Sequence, residues 1–547
     1  MNNPVFRRAA ALLATPALAL ATVAALPSAP SYAAEPDLAP AQAGAAYLAE
    51  VAPVYGFATG NTIDQQLALD FVGGHDAEAD AIGAGVADNL TAYTDYAYCD
   101  DPAFVESPPC ATTPLIEGVA AGSLGKALVS LQTAEIDPTD VDGVDLVAKL
   151  EGVVPDSGAL AGRAVSPQTR DGVSTVSGFT NLFGQAFAVR GLADASSPEA
   201  LSASTYLVGL QCADGSFQED LPAEEVAQTC AATTNSRPSV DGTALAVLAL
   251  DRVDTAAAQA AVTSATQWLA SVQRPDGGFT DNGAAGTPNA NSTGMAGWAL
   301  GLTGQDAPAA KTATWVRAHQ ASNDGTCAAY AADDLGAIAL NDQDLAAGVG
   351  GIGDAALGRW QRATVQALPA LTYAPAAAGT PVVSGVTSYV RAGSVQTVTV
   401  RNLAPGNAVC GTVGTRSQRA VASVAGVATF RVTAPARTAT TPFRVVDGTA
   451  SVGATALRTL ARKKLPFSLK SAVDRGRKQV VRVSGLAAGE RVTIVFRGRK
   501  VAGGKATAKG AFVGRFKVSG KLGKATVSVR GEFAATRSNA KKFRVTR

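Results

Sequence analysis

The stretch Asp241-Gly-Thr-Ala-Leu-Ala-Val-Leu-Ala-Leu250 decides the fold. Behind its one acid it is small and apolar almost throughout, as a helix buried on most sides should be. Asn291-Ser-Thr-Gly-Met-Ala-Gly-Trp-Ala-Leu300 has the same plan, and Asp334-Leu-Gly-Ala-Ile-Ala-Leu340 repeats it. Earlier copies are Phe183-Gly-Gln-Ala-Phe-Ala-Val-Arg-Gly-Leu192, Leu124-Gly-Lys-Ala-Leu-Val-Ser-Leu131 and Asp64-Gln-Gln-Leu-Ala-Leu69. In chain order the six starts lie 60, 59, 58, 50 and 43 residues apart. Such a unit needs its neighbours to bury its apolar face. A more amphipathic helix is expected before each copy, at 41–53, 78–93, 142–151, 198–211, 255–273 and 308–320. In the fifth, Trp268, Leu269 and Val272 form one stripe. Six outer and six inner helices predict a closed α/α toroid over 40–345, because a short open array would expose its inner row.

The later repeats share a turn. Gln211-Cys-Ala-Asp-Gly-Ser-Phe217 matches Gln273-Arg-Pro-Asp-Gly-Gly-Phe279, and Gln320-Ala-Ser-Asn-Asp-Gly-Thr-Cys327 is a looser copy. The Gln can bond carbonyls at a helix end, Asp-Gly makes the tight turn, and the aromatic packs back on the next pair. These turns resemble the repeat motif of squalene–hopene cyclases, with Phe in place of the usual Trp. The resemblance extends to prenyltransferase β subunits, to the α domains of transcobalamin-like carriers, and to secreted actinobacterial prenyltransferase or terpene cyclase repeat proteins. It implies the toroid. A cobalamin-like or isoprenoid ligand is the alternative it suggests to having none.

Cyclases of this type use an Asp-x-Asp-Asp acid. Here Ser239-Val240-Asp241-Gly242 keeps only the central Asp241. The resemblance makes Asp241 the alternative general acid. The residue pattern makes Asp241, Asn291, Asp334 and Asp64 helix N-caps. Phe183, Phe187 and Trp298 are few aromatic faces for a carbocation cascade. Asp333-Asp334 lacks the third acid of a diphosphate-binding cluster. No catalytic residue and no metal ligand is assigned, and His75 and His319 read as surface or loop histidines. The ligand-binding candidates are Phe187, Asp241, Asn291, Trp298 and Asp334, around an apolar centre able to hold a small ligand.

Residues 1–33 read as a secretory signal, with Arg7 and Arg8 before an apolar run from Ala9 to Leu26. Secretion permits disulfides, and Cys99–Cys110 and Cys212–Cys230 are expected to close local loops. Cys327 and Cys410 are left open between pairing and remaining free. Residues 346–381 read as a helical end and linker. Alternating runs then predict two Ig-like β-sandwiches, at 382–460 and 461–547.

Charge divides the chain further. Residues 35–372 carry a net −29, residues 373–460 a net +7, and residues 461–547 a net +21 from 24 basic and three acidic side chains. An acidic body with a basic tail predicts an anionic envelope polymer or lipid as partner. Few stacking aromatics speak against nucleic acid. The expected whole is a secreted or cell-surface binding protein, with a terpene cyclase or prenyltransferase type of enzyme as the alternative.

Overall fold

The computed structural model describes residues 35–99, 110, 114–177, 180–233 and 237–547; the signal expected at 1–33 lies outside them. A helical region comes first: α1 (Ala39–Ala49), α2 (Thr59–Val72), α3 (Asp76–Asp88), α4 (Leu90–Thr94), α5 (Ala121–Thr133), α6 (Leu146–Glu151) and α7 (Leu182–Asp194). It continues with α8 (Ala200–Gly209), α9 (Val240–Leu250), α10 (Ala256–Val272), α11 (Ala290–Leu302), α12 (Asp306–Ala318), α13 (Asp342–Ala347) and α14 (Asp354–Ala367). Each inner helix packs on the next, in the order α2, α5, α7, α9, α11, α14, and α14 packs back on α2. None of these described helices is long and apolar enough to cross a membrane.

Small residues set the seams. A Cβ on Gly125 would lie 2.5 Å from the Ala188 nitrogen, and one on Gly294 would collide with the backbone of Gln366 and Ala367. The inner helices therefore touch backbone to backbone, which explains their Gly and Ala content. Their starts are capped by Asn181, Ser239 and Asn289, whose side chains accept from Gly184, Gly242 and Ser292 N–H at 3.1, 3.0 and 2.9 Å.

The sixth inner helix is not at Asp334–Leu340. That run is a short 3-10 turn, Ala332–Asp334, followed by buried loop, and α14 takes the inner place. The repeat turn explains the difference. Gln211 Nε2 donates to Gly215 O (3.0 Å) and to Ala261 O on the next outer helix (2.8 Å), and Gln273 Nε2 donates to Gly277 O (3.3 Å) and Pro308 O (2.9 Å). Phe217 and Phe279 N–H donate to Thr243 and Thr293 Oγ1, both at 2.9 Å. In the last repeat Gln320 Nε2 donates to Gly336 O (3.0 Å) and Pro40 O (2.8 Å), and Ile338 N–H to Thr364 Oγ1 (2.8 Å). Gly336, at φ +96°, is thus the turn glycine and Ile338 stands where Phe stood, after an insertion. Ala337, Ile338 and Ala339 are fully buried, so apolarity there reflected burial and not a helix. Within 346–381, α14 and the 3-10 helix Leu368–Tyr373 therefore pack with the inner helices, and only the residues after Tyr373 are left as linker.

A four-stranded antiparallel sheet, Asp95–Cys99, Leu115–Val119, Ser166–Arg170 and Val173–Ser177, is inserted between inner helices and was not expected. After 3-10 helix Leu368–Tyr373 the chain forms two β-sheet domains. Each pairs a five-stranded with a three-stranded sheet over one apolar core, centred on Phe430 and Phe443 in the first and on Phe496, Phe516 and Phe543 in the second.

Disulfides join Cys99 to Cys110 (2.07 Å), Cys212 to Cys230 (1.91 Å) and Cys327 to Cys410 (2.04 Å). The last fastens the 321–335 insertion to the first β-sheet domain, beside an Arg419–Asp324 ion pair and a Ser417 Oγ to Thr326 O bond at 3.3 Å. Three disulfides mark a protein that folds in an oxidising, extracellular setting.

Candidate functional site: the centre of the ring

The axis of the ring is hollow. A cavity of about 140 Å³ is lined from all six inner helices: Asp64 and Leu67 of α2, Lys126 of α5, Phe183, Phe187 and Arg190 of α7, Asp241 and Leu245 of α9, Met295 and Trp298 of α11, and Val365 and Gln366 of α14. Its walls are mainly apolar and aromatic, with charge at both ends.

At one end Lys126 Nζ pairs with Asp64 at 2.6 Å and stands 5.0 Å from the centre of the Phe187 ring. The cation thus contributes to an electrostatic contact with the ring face as well as an ion pair. At the other end Arg190 Nε lies 3.8 Å from Asp194, which Arg252 approaches at 3.9 Å. Burial, helped by Arg252, lowers the Arg190 guanidinium to about 10. Burial likewise raises the Asp70 carboxyl above its ordinary value. A smaller cavity of about 60 Å³ continues here between Asp70, Phe71, Arg252 and Trp298. The Phe71 and Trp298 rings lie 5.0 Å apart, tilted.

Asp241 does not cap its helix. Ser239 does, and Asp241 falls in the first turn, facing the cavity. Its Oδ1 is buried without a hydrogen bond. Burial raises the carboxyl to about 6, with Glu219 and Asp281 adding to the rise and a Ser292 hydrogen bond opposing it. Trp298 Nε1, Gln366 Oε1 and Arg190 Nε are also buried with no hydrogen bond. Polar groups from four helices thus converge on one apolar hole with unsatisfied bonding capacity, and buried polar groups without partners are rare enough to require a cause.

The other candidates fall differently. Phe187 and Trp298 line the cavity beside Asp241. Asn291 is not a cap, since Asn289 is, and its buried Oδ1 has no hydrogen bond, but it does not line the cavity. Asp334 starts no inner helix and lies away from the cavity, where its Oδ2 accepts from Ile352 N–H at 2.8 Å. Asp64 is inside α2, paired with Lys126, and is no cap. Lys126, Arg190 and Gln366 were missed, because only the closed ring brings their helices to one axis.

His319 is buried, not a surface residue. It stacks on Trp315 at 3.6 Å, with Nδ1 2.8 Å from Trp315 O and Nε2 3.1 Å from Asp342. Burial pushes its pKa down. Among the described residues no group of His, Cys, Asp and Glu is arranged to hold a metal ion.

No family model and no curated protein matches this chain. Solved structures overlap it at low similarity. The Yersinia pseudotuberculosis adhesin InvE is 13% identical over 31% of this chain and 59% of its own, with a TM-score of 0.17. The human OSCAR ligand-binding domain is 12% identical over 30% of this chain and 95% of its own, at 0.21. A putative membrane anchored protein from Corynebacterium diphtheriae is 11% identical over 30% and 53%, at 0.15. The chain therefore spans just over half of the adhesin's length, and overlap at these scores carries no argument about function.

Proposed function

We propose that this is an extracellular binding protein. Its helical region is a toroid of paired helices, similar to those of terpene cyclase and prenyltransferase repeat proteins, and its β-sheet domains are Ig-like sandwiches. The ring centre takes a compact, mainly apolar ligand that offers a hydrogen-bond donor or a positive charge. The observation that carries this reading is the cavity in which Asp241 Oδ1 and Gln366 Oε1 stand unpartnered beside Phe187 and Trp298. Two acceptors against aromatic faces favour an amine or alcohol on an apolar body.

Size restricts the ligand. A cavity of about 150 Å³ accommodates a benzene-sized molecule, and typical ligand sites measure roughly 300–1,000 Å³. At about 140 Å³ the ring suits a single-ring or short-chain ligand and leaves no room for a triterpene or a corrin. One observation favours the enzymatic alternative: a carboxyl raised to about 6 holds a proton in mildly acidic surroundings, as a general acid must.

The test is a titration of the full-length protein with small amines, alcohols and carboxylic acids, read by Trp298 fluorescence with Trp298→Phe as blank. Amines and alcohols should bind, acids should not, and Asp241→Ala should weaken binding at least tenfold. If nothing in the set binds, and native mass spectrometry finds no co-purifying small molecule, the reading falls. Turnover of squalene or a prenyl diphosphate, abolished by Asp241→Asn, would assign the ring to catalysis instead.

A further inference from the structure

Residues 461–547 hold 24 basic side chains against three acids, and the acids are all engaged. Glu490 is buried and bidentate with Arg537, at 2.7 Å for both bonds. Asp474 accepts from the Thr546 hydroxyl. Glu532 Oε2 accepts from Arg491 N–H at 3.1 Å. Arg537–Glu490 is the one ion pair among the described residues of this segment. Asp474, opposite Thr546 on the edge strand, is the one acid on the outer face of the five-stranded sheet, and none of the exposed cations of this segment is in an ion pair among the described residues.

Strand alternation places seven of them on the outer face of the five-stranded sheet, against Lys478, Arg482, Arg515 and Lys517 on that of the three-stranded one. In the five-stranded sheet Ala525, Val527, Val529, Val492, Ile494, Phe543 and Val545 point into the core. Lys524, Arg530, Arg491, Lys542 and Arg544 therefore point outward, joined by Lys500 and Lys505, and all seven are exposed. Lys524 lies directly opposite Arg544, and Arg491 directly opposite Lys505. Like charges in direct cross-strand register destabilise a sheet. Lys478 and Lys517 are opposed in the same way on the three-stranded sheet, so the larger cluster, seven strand cations against four, selects this face, where a bound polyanion would relieve the repulsion.

We propose that the outer face of this five-stranded sheet docks an extended linear polyanion bearing phosphate charges. Lys524 and Arg530 are six residues apart, about 20 Å along the strand, and five strands at about 4.8 Å spacing make the face comparably wide. Cations spread over such an area are read by a chain that reaches several of them at once. Its Arg residues suit phosphate, which they grip with two parallel bonds. Between the cations lie Thr493, Thr526 and Ser528, the aliphatic Val495 among them is buried, and these strands turn no aromatic side chain outward to stack on a base.

The probe is inorganic polyphosphate of defined length, titrated into the full-length protein from 50 mM to 500 mM salt. Log affinity should fall linearly with log salt as counterions are released. Lys524→Gln with Arg544→Gln should weaken binding at least tenfold and reduce that slope by about 1.5, near the value for two phosphate contacts. Lys478→Gln with Lys517→Gln removes an equal charge from the opposite sheet and should leave affinity within threefold; unaltered melting of both variants confirms folding. Equal losses from the two pairs would overturn the proposal in favour of diffuse net charge, as would no binding by the unmodified protein at 50 mM salt. Tighter binding, per phosphate, to anionic lipid vesicles or to mixed-sequence single-stranded DNA would also overturn it, assigning the face to a membrane or to nucleic acid.

Discussion

Replacing Asp241 by Asn should stabilise the ring, and by an amount that depends on pH. The carboxyl rises from 3.8 to about 6 on folding because burial disfavours its charged form. A raised carboxyl pKa means that the folded state holds the proton more tightly than the unfolded chain. That contribution is fully present below about pH 4 and is lost as pH rises through 6. A rise of about 2 units corresponds to about 3 kcal/mol, at about 1.4 kcal/mol per unit. Asn is nearly isosteric and carries no charge. The variant should therefore match the parent at pH 4 and exceed it by up to about 3 kcal/mol at pH 7. All four tryptophans, Trp268, Trp298, Trp315 and Trp360, lie in the helical region, so intrinsic fluorescence during urea unfolding follows the ring alone. A variant no more stable at pH 7, or a difference constant from pH 4 to pH 8, would refute the reasoning.

Gly294→Ala should prise α11 from α14, since the added Cβ meets backbone and cannot be relieved by a rotamer; the expected loss is about 1–3 kcal/mol in the same fluorescence transition. Glu490→Gln leaves the Arg537 guanidinium buried without its counter-charge and should cost about 3–5 kcal/mol; Glu490→Leu combined with Arg537→Met should restore most of it, as read by far-ultraviolet circular dichroism of the β transition. Removing Cys327–Cys410 as a Ser pair opens a separation of 83 residues, which the chain-entropy estimate places at about 4–5 kcal/mol. Limited proteolysis should then cleave between the ring and the first β-sheet domain earlier than in the parent.

The inner helices were legible because five of them keep an apolar run uninterrupted by turns. The sixth was not, because insertion 321–335 splits its turn motif and places a buried loop, Ala337–Ala339, where an apolar helix was expected. The repeated acid at Asp241 could be seen, but its direction could not. Two residues separate a cap that faces its own amides from a side chain that faces the axis, and sequence resolves helix ends no better than that. Lys126, Arg190 and Gln366 belong to the cavity only through closure, which joins residues far apart in the chain. The sheet around Asp95–Cys99 escaped notice because its exposed strands, such as Val173–Ser177, bury almost nothing on either face. Cys327 and Cys410 found each other through the insertion, which no local spacing reports.

Gln320 reaches back to Pro40 across 280 residues, and Asp37 N–H bonds Ala374 O at 2.8 Å. The two ends of the helical region thus close it on each other. A chain delivered progressively from its N-terminus must hold five inner helices, with an apolar flank uncovered, until residue 374 has emerged. Closure between such distant partners is slow, and the waiting edge is a site for aggregation. The Cys99–Cys110 and Cys212–Cys230 loops can oxidise early within that waiting piece, whereas Cys327–Cys410 can oxidise only after the first β-sheet domain has been made. Bond formation thereby acquires an order in time, and the last disulfide becomes a record that the ring was finished and its neighbour correctly set beside it.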